Sequence, residues 1–413
     1  MTIIELFDKT SIENMISTLL VKPEKVYFMC HNKKQVDKKI DKYIKIAKGR
    51  GIDVKMESVP VNRNNLESIV ESLSRIIDEN NDCHIDLSGG DDLYLVAAGI
   101  VYEKYNGKVE LHRFNVRNNS LSDLDNNGRP CIEEPIEISI EENIGIYGGT
   151  ILDCEKSDEK GISYDEKSEF TKDILNLWQI CKNNPRYWNS IICCLNLLQS
   201  KFLCPSNPLS VSFEIEDAKK FLALHKKEYI SLSGFLNKLK KYGLITDLVN
   251  TPEKISFVYK KPYIKKTLAK AGTVLELFIS ILAFNILDSD KKPLYNDVMT
   301  SVVLDWDGEI LHGKVNISNE IDIMLMKGLV PVFISCKNGD MDIDELYKLS
   351  TVAERFGGEY AKKVLVTSEL DALGPKGEII RARAEDMKIR ILDDIDSMSK
   401  EKLENAIKTL WNN

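Results

Sequence analysis

Short apolar runs alternate with helical patterns through the first 116 residues. TIIELF (2–7), KVYFMC (25–30), DVKMESVP (53–60), CHIDL (83–87) and KVELHRFNV (108–116) have the length and composition of strands. Between them, apolar positions recur at helical spacing. Ser11 is expected to cap a helix reaching Leu20, with Ile12, Met15, Ile16, Leu19 and Leu20 on one face. A second helix runs to about Lys48 and stops at Gly49-Arg50-Gly51, and a third covers LESIVESLSRIIDEN (66–80). A fourth, LYLVAAGIVYEKY (93–105), is rich in small residues. Strand–helix alternation with short turns predicts an α/β fold, a parallel sheet with helices on both faces.

The pattern then changes. The polar stretch 117–143 reads as a hairpin or loop, and the acidic stretch 151–169 as a linker. From 170 to 267 the spacing is helical (KDILNLWQICKNN, WNSIICCLNLLQSKF), with Trp178 and Trp188 expected in the core. YISLSGFLNKLKKYGLI followed by ISFVYKK has the order of a recognition helix and wing strand, so the segment reads as helical and winged-helix-like. The last part, 268–413, begins with the helix TVLELFISILAFN (273–285). DVMTSVVLDW, EIDIMLM (320–326) and PVFISC (331–336) follow, the last two joined by a Lys327-Gly328 turn. A helix, IDELYKLSTVAERFG, and the strands KKVLVTS and MKIRILDD complete a second α/β unit. The expected division is thus 1–150, a linker at 151–169, 170–267 and 268–413.

A length of 413 residues fits two to three domains at roughly 150 residues each. With 43% hydrophobic and 29% charged residues, each can bury a core without disulfides. No apolar stretch reaches the roughly 18 residues of a membrane span, and MTIIELFDKT lacks the basic region of a signal peptide. The nine cysteines have no C-x-x-C spacing, which reads as reduced, buried thiols and a cytoplasmic location. The net charge of −8 argues against a wholly basic surface but leaves room for a local patch. Lys254, Lys260, Lys261, Lys265, Lys266 and Lys270, with Tyr259 and Tyr263, are candidates for such a patch, either contacting nucleic-acid phosphates or forming a solvated face.

The strongest chemical signal lies in the 320–337 hairpin. Glu320 and Asp322 are two apart on one strand, Ser335 and Lys337 two apart on the next, so each pair shares a face. Glu276, on the preceding helix, would complete the group. Hard oxygen ligands suit Mn²⁺ or Mg²⁺, which would polarise a phosphodiester and activate water, while a lysine stabilises developing charge. An acid inside the apolar run EIDIML is costly unless it faces a polar partner or a metal. A second signal lies at the expected carboxyl ends of the early strands: Asp8, Thr10 and Ser11; His31 and Asn32; and Ser88-Gly89-Gly90. A Ser-Gly-Gly turn opening a helix lets backbone amides approach a phosphate.

NEIDIMLMKGLVPVFISCKNG resembles the core of the PD-(D/E)xK nucleases, restriction-endonuclease-like enzymes. The resemblance puts Asp322 at the first carboxylate, Lys337 at the lysine and Glu276 at the helix acid. Metal ligation then falls to Glu276, Asp322 and Ser335. Ser335 stands where the second carboxylate is expected, leaving Glu320, Glu345 or Asp305 to supply the missing charge. IDLSGGDDLYLVAAGIVYE resembles the turn and small-residue helix of CARF sensor domains, which are Rossmann-like. Together the two segments resemble the CARF-domain nucleases of type III CRISPR defence across nearly the whole chain. The resemblance implies a homodimer that binds cyclic tetra-adenylate as allosteric activator, with Asp8, Thr10, Ser11, His31, Asn32, Ser88, Gly89 and Gly90 lining that pocket. Asp91, where threonine is common, is expected to point away. The resemblance further implies metal-dependent cleavage of single-stranded or supercoiled DNA, RNA or both, antiviral in purpose. Two other readings stay open: a ligand-responsive transcription regulator that binds nucleic acid through the lysine-rich segment and carries an inactive nuclease-like domain, and a nucleotide-metabolising α/β enzyme.

Overall fold

The structure is a computed structural model and describes residues 1–412 except 9–10, 117, 125–128, 133–134, 160 and 307–317. Its first sheet has seven strands: β1 (Thr2–Leu6), β2 (Lys25–Cys30), β3 (Lys55–Pro60), β4 (Cys83–Asp86), β5 (Val109–Asn115), β6 (Ser120–Asp123) and β7 (Arg129–Ile132). They lie in the order β3-β2-β1-β4-β5-β6-β7, the first five parallel. All five were expected from their apolar runs. The β6–β7 antiparallel hairpin falls in the polar stretch read as a hairpin or loop. Chain order reverses between β1 and β4, opening a crevice at their carboxyl ends. The first helix is shorter than expected: residues 11–15 form turns, helix begins only at Ile16, and Ser11 accepts a bond from Lys39.

The acidic stretch 151–169 is not a free linker. Its start belongs to β8 (Thr150–Glu155), an edge strand of the last sheet, antiparallel to β13 (Asp297–Asp305). The chain thus visits the last sheet before the middle segment begins. That middle segment is more than helical. The expected helix (Ser233–Lys241) and hairpin, β11 (Ile245–Asn250) with β12 (Lys254–Tyr259), are present. They join β9 (Leu203–Cys204) and β10 (Asn207–Glu214) in a four-stranded sheet, β11-β12-β10-β9. In β10, Val211 and Phe213 are buried while Ser212 and Glu214 are exposed, an alternation masked by its polar half.

The last sheet has the order β17-β16-β15-β14-β13-β8, with β14 (Ser318–Lys327), β15 (Val330–Lys337), β16 (Lys362–Thr367) and β17 (Ile389–Leu392). β14 and β15 form the expected antiparallel hairpin, and β16 and β17 follow in parallel. Buried side chains fall into three clusters. One lies on the outer face of the first sheet, around Leu6, Leu73 and Val101. A second is shared by both large sheets, joining Phe28 and Tyr43 to Met324, Phe333 and Phe356. A third joins the middle segment to the far face of the last sheet, through Trp178, Ile323 and Ile334. Both tryptophans are buried as expected: Trp178 stacks on Phe278 and Trp188 donates to the Ala271 carbonyl. No helix among the described residues is long and apolar enough to cross a membrane.

Candidate functional site

The sequence places four polar side chains on an otherwise apolar scaffold, and the fold gathers them. The helix Thr273–Asn285 is buried nearly throughout; Glu276 is the acid in its first turn. On β14 the apolar residues Ile321, Ile323, Met324, Leu325 and Met326 are all buried, leaving Asp322 flanked by core. The β14–β15 register pairs Ile323 with Ile334, so continuing it brings Asp322 opposite Ser335. Ser335 Oγ donates to Asp322 Oδ2 at 3.2 Å, and the Cys336 amide donates to the same oxygen at 2.6 Å. Lys337 Nζ lies 3.9 Å from that oxygen and 2.9 Å from Glu345 Oε2. Asp322, Ser335, Lys337 and Glu345, with Glu320 and Lys348, line a cleft of about 320 Å³.

Burial, then the charge of Asp322, push the Glu276 carboxyl up to about 8. Burial also raises Asp322, against the Lys337 ammonium and the Cys336 amide, which favour its charge. Burial opposes charge on Lys337, but Asp322 and Glu345 outweigh it and raise its pKa. Two buried carboxylates that disfavour each other's charge form a site where a hard cation would relieve both. The donor set fits Mg²⁺ or Mn²⁺: Glu276 and Asp322 supply carboxylate oxygens, Ser335 a hydroxyl, and water the remainder. Glu320 lies on the rim, held by Lys270 at 3.3 Å. Glu345 is bound by Lys348 as well as Lys337, and those hydrogen bonds keep it ionised despite burial. Asp305 is buried four residues beyond Ser301 on β13, about 13 Å along the strand, and does not join the group.

Ser301 was not foreseen. It is a non-glycine residue at φ +51°, and its Oγ donates to Glu276 Oε2 at 3.2 Å. Sequence carries no signal for such a backbone. Among the described residues a three-carboxylate group, Asp371, Asp393 and Asp394, lies elsewhere, and Arg381 already bridges Asp371 and Asp393.

The second expected site lies at the ends of β2, β1 and β4, adjacent strands in the sheet. Gly90, at φ +103°, donates its amide to Asp8 Oδ2 at 3.2 Å. A Cβ there would stand 2.7 Å from the Leu6 Cβ, and one on Gly89 2.8 Å from the Asp8 Cβ. The turn therefore needs both glycines to sit against β1. The Asp8 backbone is tied to Asn14 by two hydrogen bonds, of 2.7 and 2.8 Å. Ser11 is buried and receives Lys39 Nζ at 2.6 Å. Other expected residues have structural work. Ser88 Oγ accepts from the Phe114 amide and bonds Asp86, and the Asn32 carboxamide caps the helix Lys33–Gly49. His31 is exposed at the same rim, and so is Asp91. Thr10 lies outside the described residues.

The 254–270 lysines do not form an unpaired basic strip. Lys260 is bound by Asp173 and Glu169, Lys261 pairs with Glu169, Lys254 with Glu214 and Lys266 with Glu155, while Lys265 donates to the Pro208 carbonyl. Acids from distant segments thus offset the cluster, which local sequence could not reveal.

Taken together, a mostly parallel sheet with a glycine turn at its switch point and a separate sheet presenting carboxylates and a lysine define a mixed α/β class built on several sheets. Neither a protein-family model nor a curated protein sequence matches the chain. Solved structures do. The protein VC1899 from Vibrio cholerae aligns over 99% of this chain and 97% of its own, with a TM-score of 0.73 at 16% identity. Can2 from Sulfobacillus thermosulfidooxidans, solved in complex with cyclic tetra-adenylate, aligns over 100% and 99%, with a TM-score of 0.67 at 13% identity. The likeness therefore covers the fold of the entire chain, not only the two short segments that first suggested a relative.

Proposed function

We propose that the chain is a metal-dependent nuclease of type III CRISPR defence, switched on by cyclic tetra-adenylate bound across a homodimer. The observation carrying this reading is the convergence of Asp322, Ser335 and Lys337 on one cleft, with Glu276 near enough to Asp322 for their charges to interact, in a chain that shares its whole fold with a protein solved in complex with cyclic tetra-adenylate. Glu276, Asp322 and Ser335 would hold Mn²⁺ or Mg²⁺, which when bound polarises a phosphodiester and lowers the pKa of water. Lys337 would then stabilise charge on the phosphate, its ammonium kept protonated by Asp322 and Glu345. The Gly89–Gly90 turn, backed against β1 at the opening of a helix, would take the ligand's phosphates, with the Gly90 amide released from Asp8 to meet them. One turn from each subunit of a symmetric dimer suits a cyclic tetranucleotide.

The test is cleavage of supercoiled plasmid, single-stranded DNA and RNA in Mn²⁺, with and without cyclic tetra-adenylate. Ligand-dependent cutting, abolished in Lys337→Ala while ligand binding persists, is expected. Lys337→Ala cutting at the parental rate would remove the assigned site. Sequence-specific duplex binding without cutting would favour the regulator instead, a reading weakened by the pairing of the middle-segment lysines.

A further inference from the structure

The helix Asp344–Gly357 touches both the cleft and the first domain. At its start, Glu345 Oε2 lies 2.9 Å from Lys337 Nζ, an ångström nearer than Asp322 does. Ten residues on, about 15 Å along the axis, Arg355 donates to the carbonyls of Tyr147 at 2.7 Å and Trp306 at 3.3 Å. Asn143 donates to the Phe356 carbonyl at 2.7 Å. Just beyond the helix, the Tyr360 hydroxyl donates to Glu13 at 2.7 Å. Glu13 directly precedes Asn14 in sequence, and Asn14 fixes the backbone of Asp8, whose carboxylate holds the glycine turn. Leu346, Leu349, Val352, Ala353 and Phe356 bury the helix in the core shared by both sheets.

We propose that this helix carries the state of the sensor turn to the cleft, and that Glu345 is a restraint holding Lys337 off Asp322 until ligand binding draws the helix back. The proposal rests on the nuclease reading above. A ligand that draws the Gly90 amide from Asp8 acts on Glu13 and Tyr360, hence on the helix, and the lysine passes from Glu345 to Asp322. Such coupling needs the ligand to favour the released arrangement; the contacts from turn to lysine supply a route.

Glu345→Gln keeps the shape but loses the charge that grips Lys337. It should raise ligand-free cleavage at least about fivefold, the lower end of usual coupling, with little change in the ligand-saturated rate. A merely structural loss would not raise a rate. Tyr360→Phe, far from the cleft, should leave ligand-free cleavage unchanged and lower the ligand-induced stimulation. If Glu345→Gln lowers both rates alike, Glu345 assists the chemistry and the restraint is refuted. Unchanged ligand-free cleavage in that variant, with the parental protein still stimulated, refutes the restraint alone. A parental protein that never cuts refutes the nuclease reading and the restraint with it.

Discussion

Single residues carry the chemistry, and their burial has a measurable consequence. Glu276 titrates near 8 when folded and near 4.5 when unfolded, so between those values the native state holds the extra proton. Without a divalent cation, stability therefore falls as pH rises from about 4.5 through 8. Glu276→Gln removes that loss. It should raise the Tm of the cation-free protein by about 2 °C or more at pH 8 and change it little near pH 4, while abolishing Mn²⁺-dependent cleavage. Calorimetry at the two pH values checks the sign; a lower Tm at pH 8 would show that Glu276 is well solvated. That Ser335 and Lys337 share a face on one strand and Asp322 faces Ser335 on its neighbour was legible because a period of two fixes which strand residues lie together; Glu276, on a helix, had no such guide. Ser301, Lys39 and the grip of Glu345 on Lys337 were not legible. Each depends on a partner at least eight residues away or on a backbone state that composition does not encode.

At the scale of elements, turn and register decide what the strands can present. Gly90 joins β4 to its helix at φ +103° with no room for a Cβ beside Leu6. Gly90→Ala should destabilise the protein by about 1–3 kcal/mol and displace the turn from Asp8. Cyclic tetra-adenylate binding, followed by calorimetric titration, should be lost; parental affinity in this variant would show that the turn is not part of the binding site. β1, β2 and β4 were readable because strands buried on both faces are near-continuous apolar runs, and β3 and β5 because buried and exposed positions alternate along them. β8 and β10 were not, because an edge strand and a one-faced strand carry many polar residues. β8 finds its place only through β13, some 145 residues later in the chain, a pairing that no local pattern announces.

In the whole molecule, a helix apolar all round asks for cover on every side. The helix Asp92–Tyr105 buries Tyr94, Ala97, Ala98 and Val101 against the first sheet, yet Leu95, Val96 and Ile100 remain 38%, 50% and 43% exposed on the other face. This helix begins at the Gly89–Gly90 turn, so a partner packed along it would bring two such turns to one axis. A second copy is the occupant that symmetry favours, because the same face then serves both subunits. Ile100→Glu changes only the exposed face and leaves the buried one intact. It should yield a folded monomer by sedimentation, with parental far-ultraviolet circular dichroism. Such a monomer would offer one turn instead of two, so ligand affinity and ligand-stimulated cleavage should both collapse. If the parental protein is a dimer, as proposed, and Ile100→Glu is one too, the interface lies elsewhere; if the variant is monomeric yet fully stimulated, the ligand needs only one turn.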